Sequence, residues 1–103
     1  MNVLSINSFA GHTVKTVVAA FTDPKLPKRP DGIKEPASVA YVDRKGSHVA
    51  YIYEVEDARL GELMSHLYDR AAFMSSRVEG YTSDVQAGFP VMAAVGRVKS
   101  QWP

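Results

Sequence analysis

The chain has 103 residues, of which 46% are apolar and 22% charged, which suits one domain with one hydrophobic core. Its 12 basic and 11 acidic residues nearly cancel, so no basic surface for nucleic acid is indicated and we predict no such partner. Cysteine is absent, which excludes disulfides, thiolate metal ligands and cysteine nucleophiles and is compatible with the cytoplasm, where we place the protein.

The hydropathy pattern gives no indication of a membrane partner. A helix that spans a bilayer needs ~20 consecutive apolar residues, and no run in this chain approaches that length. The first residues also lack the basic segment and the continuous apolar stretch of a secretory signal. We therefore predict neither a membrane partner nor a secretory signal.

The first two predicted elements are a strand over residues 2–9 and a helix over residues 13–21. In the strand, Val3, Ser5 and Asn7 point to one side of the sheet. Leu4 and Ile6 point to the other side. The helix is favoured by an apolar spacing of i, i+3, i+4 and i+7, although its β-branched residues leave a strand as the alternative. Four residues carry that spacing: Val14, Val17, Val18 and Phe21.

A proline-rich loop is predicted over residues 22–36, with four of the six prolines of the chain. Loops of this length are uncommon in compact domains and often cover a binding site. One hypothesis is therefore that the loop is a mobile lid near the edge of the sheet face that the helices leave open. Its basic residues would then favour an anionic group there. The alternative is a simple connector. The basic residues are Lys25, Lys28, Arg29 and Lys34.

A hairpin follows, with strands over residues 37–43 and 47–55 joined by Arg44, Lys45 and Gly46. A three-residue loop with glycine last is a common hairpin connection. It would place Asp43 opposite Ser47. This pairing would decide to which side of the sheet every other side chain of the hairpin points. A longer loop would shift the pairing by one residue and move each side chain to the other face.

With that three-residue loop, both faces of the hairpin are apolar, which implies that both are covered. The small aliphatic face suits packing under the helices, whereas the aromatic face needs a second subunit, a ligand or the proline-rich loop. The aromatic face carries Val39, Tyr41, Val49, Tyr51 and Tyr53. The aliphatic face carries Ala40, Val42, Ala50 and Ile52.

An amphipathic helix is predicted over residues 57–77, with Asp57 as its N-cap and Gly80 as its stop. A strand over residues 81–86 follows, and a further apolar strand is possible over residues 91–98. The predicted buried stripe of the helix is Leu60, Leu63, Met64, Leu67, Tyr68, Ala71 and Met74. The predicted exposed side is Arg59, Glu62, His66, Asp69, Arg70 and Arg77.

This order of elements predicts an α+β fold, the ferredoxin-like βαββαβ plait with an antiparallel sheet, as one domain over residues 1–103 with the proline-rich loop at 22–36. Both helices of a plait pack on one sheet face and leave the other open. The segment SHVAYIYEVEDARLGELMSHLYDRAAFMSSRVEGY, residues 47–81, resembles the dimeric α/β-barrel superfamily. That resemblance implies a homodimer in which two plaits pack by their open faces.

The superfamily includes muconolactone isomerases and antibiotic-biosynthesis-type monooxygenases. None of their catalytic signatures matches this sequence residue by residue, so the resemblance implies a fold and no particular reaction. Among the histidines, His12 is the candidate for a catalytic base. His48 and His66 are predicted to be exposed. No two histidines have the spacing of metal ligands, and the glycines form no phosphate-binding loop, so we predict neither a metal site nor a cofactor.

Three hypotheses for function remain open. The first is a homodimer that binds a small apolar or aromatic molecule, or a protein partner, on the open sheet face. The second is a cofactor-independent monooxygenase or isomerase of the same fold, with His12 or a tyrosine handling protons. The third is a purely structural or interaction protein. The residues predicted for the ligand or dimer face are Asn7, Val39, Tyr41, Val49, Tyr51 and Tyr53.

Overall fold

The computed structural model describes residues 1–93, 95 and 96, which contain one four-stranded antiparallel sheet. The strands lie in the order β2-β3-β1-β4, with every neighbouring pair antiparallel. This order confirms the predicted ferredoxin-like βαββαβ plait. The elements are β1 (Asn2–Phe9), α1 (Val14–Phe21), β2 (Lys34–Asp43), β3 (Gly46–Glu54), α2 (Leu60–Arg77) and β4 (Thr82–Gly88).

The segment after β4 is not the additional strand that the apolar pattern suggested. Residues 91–93 and 95–96 are helical, and the other positions of the predicted strand over 91–98 lie outside the described residues. Pro90 directly precedes this helical segment, and proline suits the start of a helix because its φ is already helical. Among the described residues, none of the helices has the length and apolar composition that crossing a membrane requires.

The two faces of β1 alternate as predicted. Val3 is fully buried and packs with Tyr53 of β3 and with Leu63 and Leu67 of α2. The helices therefore cover the Val3 side of the sheet. We call the other side, which carries Leu4 and its neighbours, the open face.

The predicted pairing of the hairpin is wrong by one residue. Asp43 pairs with Gly46, so the connection is the two-residue turn Arg44-Lys45. The Lys45 amide donates to Asp43 Oδ1 at 2.8 Å, which closes the turn. Gly46 has φ of 125° and a side chain there would meet the Phe9 carbonyl oxygen at 2.9 Å, so glycine is required as the first residue of β3.

This register divides the predicted aromatic face between the two sides of the sheet. Val39 pairs with Ala50 and Tyr41 with His48, which places both on the open face. Val49, Tyr51 and Tyr53 pair with Asn7, Ser5 and Val3 and lie on the helix side. The predicted set of ligand or dimer residues therefore does not form one surface.

The buried stripe of α2 is also rotated from the prediction. Leu63, Leu67 and Met74 are buried as predicted, but His66 joins them, with 7% of its surface exposed. Tyr68, assigned to the core, is 75% exposed, and Met64 also reaches solvent. The helix has more apolar residues than one of its faces can bury, so the sequence alone does not show which of them are buried.

The proline-rich segment lies on the helix side, which contradicts its predicted place near the open face. Ile33 is buried in the core with Leu63 and Leu67. Leu26 packs on a second apolar cluster, which lies between α1 and α2. The burial of Ile33 and the packing of Leu26 explain why the segment runs over the helix side, because an exposed connector would leave both side chains in water. The predicted mobility of this segment stays a prediction.

Candidate functional site

An apolar groove separates α1 from the sheet. The helix has only eight residues, and it contacts α2 through Ala20 and Val17, which pack with Met74. Its other side stands over β1 and β3 without closing on them. The space measures about 280 Å³. We call it the α1 groove, and its lining residues are Phe9, Val14, Val17, Val18, Phe21, Val49 and Tyr51.

The groove leaves large apolar side chains in contact with water. Val18 is 55% exposed and Phe21 is 48% exposed, although both belong to the stripe that the sequence predicted as one face of the helix. Exposed apolar side chains that converge on a concavity are typical of a site for a small apolar ligand. Val49 and Tyr51, both predicted as site residues, line this groove.

Arg70 of α2 is not itself a lining residue of the groove, but it contacts two of the aromatic rings that are. Its guanidinium carbon is 5.3 Å from the centre of the Phe21 ring and 5.1 Å from the centre of the Tyr51 ring. Its Nη2 also donates to the Tyr51 hydroxyl at 3.3 Å. Burial raises the pKa of Tyr51, with a smaller opposing effect from Arg70, so the hydroxyl is protonated at neutral pH.

The sequence assigned Arg70 to the exposed side of α2, and this was its most consequential error for the site. A signal was present, because residues 63, 67, 70 and 74 repeat at intervals of four and three and so lie on one side of a helix. Three of those positions are Leu63, Leu67 and Met74, all buried. The charge of Arg70 concealed that it continues the same stripe.

Asn7 has a role inside the sheet. Its Nδ2 donates to Ser5 Oγ at 3.2 Å and to the Val49 carbonyl at 3.3 Å. Ser83 Oγ donates to Asn7 Oδ1 at 2.6 Å. The Asn7 amide thus links β4, β1 and β3 beneath the helices, and Asn7 is not among the residues that line the α1 groove.

His48 links the hairpin to β1, and the prediction that it is exposed is wrong. It is buried beneath Tyr41, with ring centres 4.8 Å apart. Its Nε2 lies 2.7 Å from Asp43 Oδ1 and its Nδ1 lies 2.7 Å from Ser8 Oγ. The hydrogen bond from His48 is the main cause that lowers the pKa of Asp43.

Ser8, His48 and Asp43 are joined by hydrogen bonds in the order found where a histidine and a carboxylate activate a serine nucleophile. However, Ser8 and His48 line neither the α1 groove nor the cavity between Ile52 and Phe89 on the open face. A neutral imidazole with its proton on Nε2 satisfies both contacts at once. We therefore interpret these hydrogen bonds as structural contacts that fix the hairpin against β1.

His66 is the second histidine whose predicted exposure is wrong. It is buried on α2, and its Nε2 has no hydrogen-bond partner among the described residues. Burial is the main cause that lowers its pKa, and the charge of Arg70 adds to the effect. The hydroxyl of Tyr53 is likewise buried without a partner among those residues, and burial raises its pKa to about 12.

The buried His66 predicts a stability that depends on pH. The unfolded chain binds a proton at His66 with a pKa of about 6.5, whereas the folded chain binds it only at lower pH. We expect the free energy of unfolding to be highest above pH ~6.5 and to fall as the pH drops through the window between the two pKa values. Urea melts at several pH values should show less of this fall in His66→Leu. The same fall should persist in His12→Gln, which serves as the control, and equal curves for both variants would contradict the assignment.

Neither a catalytic site at His12 nor a metal site among the acidic residues is seen in the described part of the chain. His12 is exposed in the short 3-10 turn before α1 and does not line the groove. Over residues 1–93, 95 and 96, no three His, Asp or Glu side chains come together in a way that could hold a metal ion. That the protein uses neither a metal nor a cofactor stays a prediction.

Comparisons with known proteins give a likeness at the level of fold. No protein-family model matches the sequence, and no curated protein matches it. The chain is similar to a solved antibiotic biosynthesis monooxygenase, with 18% identity, coverage of 87% of this chain and 100% of the other, and a TM-score of 0.49. It is also similar to a DUF3240 family protein from Shewanella baltica OS155, with 10% identity, coverage of 86% and 91%, and a TM-score of 0.34. Neither likeness extends to an activity.

Proposed function

We propose that this protein binds a small apolar or aromatic molecule in the α1 groove. The observation that supports this most is a concavity of about 280 Å³ lined by seven apolar or aromatic side chains, among them the exposed Val18 and Phe21. Sites for drug-sized ligands begin at about 300 Å³, so the groove suits a molecule of one or two rings. A ligand there would remove these side chains from water, which is the main favourable term in such binding.

The proposal is tested with a neutral aromatic probe, 2-naphthamide, by isothermal titration calorimetry. Val18→Gln places an amide in the groove, and we expect it to weaken binding about tenfold, which corresponds to about 1.4 kcal/mol. Val42→Gln is the matched control, because Val42 is 78% exposed on β2 and does not line the groove. If neither 2-naphthamide nor its carboxylate analogue 2-naphthoate binds the unmodified protein, or if both variants lose binding equally, the proposal is refuted.

Catalysis in the groove, as a cofactor-independent monooxygenase or isomerase, is the second candidate. It would need a group that accepts a proton beside the ligand. Tyr51 supplies the titratable group of the lining, and its raised pKa keeps it protonated at neutral pH, so it suits donation of a hydrogen bond better than proton removal. Because His12 lies outside the groove, binding without chemistry is the better supported function.

We also propose that two copies of the chain pair through their open faces. Leu4, Val39 and Ile52 lie on the three neighbouring strands β1, β2 and β3, and each is more than one third exposed. Tyr41 extends the same surface and is also partly exposed. An apolar surface that runs across three strands is characteristic of a protein interface. Pairing there would leave the α1 groove unobstructed, so a purely structural role is not required. The cytoplasmic location stays a prediction.

A further inference from the structure

We propose that the molecule bound in the α1 groove carries a carboxylate, and that Arg70 binds that carboxylate. This inference rests on the proposed function, because it names the class of ligand for the same groove. It also assigns the orientation of the ligand, with its apolar part against α1 and its charged end toward α2.

The position of Arg70 supports this assignment first. The two rings that it contacts, Phe21 and Tyr51, are both lining residues of the groove. Its side chain is partly buried and lies on the inward stripe of α2, in line with Leu67 and Met74. A guanidinium that contacts two rings is restricted in its orientation, so less freedom is lost when it binds a ligand.

The second support is that Arg70 has no ion pair with a carboxylate of the described residues. Three of the four other described arginines do have one: Arg29 lies 3.7 Å from Glu35, Arg59 lies 2.9 Å from Glu62, and Arg77 lies 3.5 Å from Asp23. The Tyr51 hydroxyl takes one of the five N–H donors of Arg70, at the long distance of 3.3 Å. The remaining donors are suited to a carboxylate, which accepts two parallel hydrogen bonds from one guanidinium.

The chemistry of the groove then selects an amphiphilic anion. The lining is apolar along the length of α1, and the cation stands at one end. An ion pair formed where apolar side chains exclude water is stronger than the same pair in solvent. A neutral molecule of the same shape would gain the apolar contacts and leave the charge of Arg70 unpaired. We therefore expect the groove to prefer an aromatic carboxylate over its neutral amide.

The test compares 2-naphthoate with its neutral isostere 2-naphthamide by titration calorimetry at about pH 7.5. We expect the naphthoate to bind the unmodified protein at least about tenfold more tightly, a difference of about 1.4 kcal/mol. Arg70→Met keeps an unbranched side chain beside the two rings and removes the charge, and it should abolish that preference. Arg70→Lys should retain part of it, and this variant tests the charge if Arg70→Met does not fold.

The matched control is Arg77→Met. Arg77 is also an arginine of α2 that stacks on a ring, with its guanidinium carbon 3.8 Å from the centre of Phe73, but Phe73 is not one of the rings that line the groove. Its replacement should leave the preference for naphthoate unchanged. Equal binding of both probes, or a preference that survives Arg70→Met, would overturn this inference and leave the proposed function intact. If neither probe binds, the proposed function fails, and the inference fails with it.

Discussion

Replacing Leu63 with alanine is expected to lower the free energy of unfolding by about 2–5 kcal/mol. Leu63 has no exposed surface and packs in the cluster that joins α2 to Val3 and Tyr53 of the sheet. Its truncation removes apolar contacts and leaves a cavity that rigid neighbours cannot fill. Because domains of this size are stable by about 5–15 kcal/mol, the loss is a large part of the total.

Met64, the next residue of the helix, is the matched control. It is 36% exposed, so Met64→Ala should cost less than about 1.5 kcal/mol, and urea denaturation of both variants measures the difference. The pair tests the rotation of α2 directly, because both residues were assigned to the core from the sequence. Equal losses would show that the helix presents a different face to the sheet.

Replacing Ile52 with aspartate is expected to weaken self-association by about 30-fold or more, the effect of losing about 2 kcal/mol at the centre of an interface. Ile52 pairs with Leu4 and lies on a central strand of the open face. If a second copy covers that face, the substitution buries two carboxylates without partners in each dimer. Sedimentation equilibrium over a range of concentrations measures the dissociation constant.

Tyr68→Asp is the control for this substitution. Tyr68 is a large apolar side chain, 75% exposed on α2, which packs on the opposite side of the sheet from Ile52. The control places the same charge on a surface that the proposed pairing does not use, so the dissociation constant should remain unchanged. An unmodified chain that stays monomeric at micromolar concentration would contradict the pairing, and so would equal weakening by both substitutions.

The hairpin shows where sequence reasoning reaches its limit. The residues Arg44, Lys45 and Gly46 predict a turn with glycine at one end, but they fit both a three-residue loop and a two-residue turn. The choice depends on the close approach of Gly46 to the Phe9 carbonyl on β1. That contact joins residues far apart in the chain, so no local pattern could indicate it, and an error of one position moved Val39 and Tyr41 to the other face.

The element order and the alternation of β1 could be predicted because they depend on local periodicity. The groove could not, although its α1 residues were recognised as one apolar stripe. A stripe predicts burial, and whether the sheet comes close enough to bury it depends on how α1 docks. Here the helix is short and meets α2 through Ala20, so Val18 and Phe21 remain exposed.

The sheet lies between the α1 groove and the open face, and this has a consequence for stoichiometry. In a dimer paired by its open faces, the two grooves would point outward, and each would be lined by residues of one chain alone. Saturation should therefore require two equivalents of ligand per dimer, and the binding isotherm should be a simple hyperbola with a Hill coefficient of about 1. Occupancy of the groove should leave the dissociation constant of the dimer unchanged, because a ligand with equal affinity for both states shifts no equilibrium.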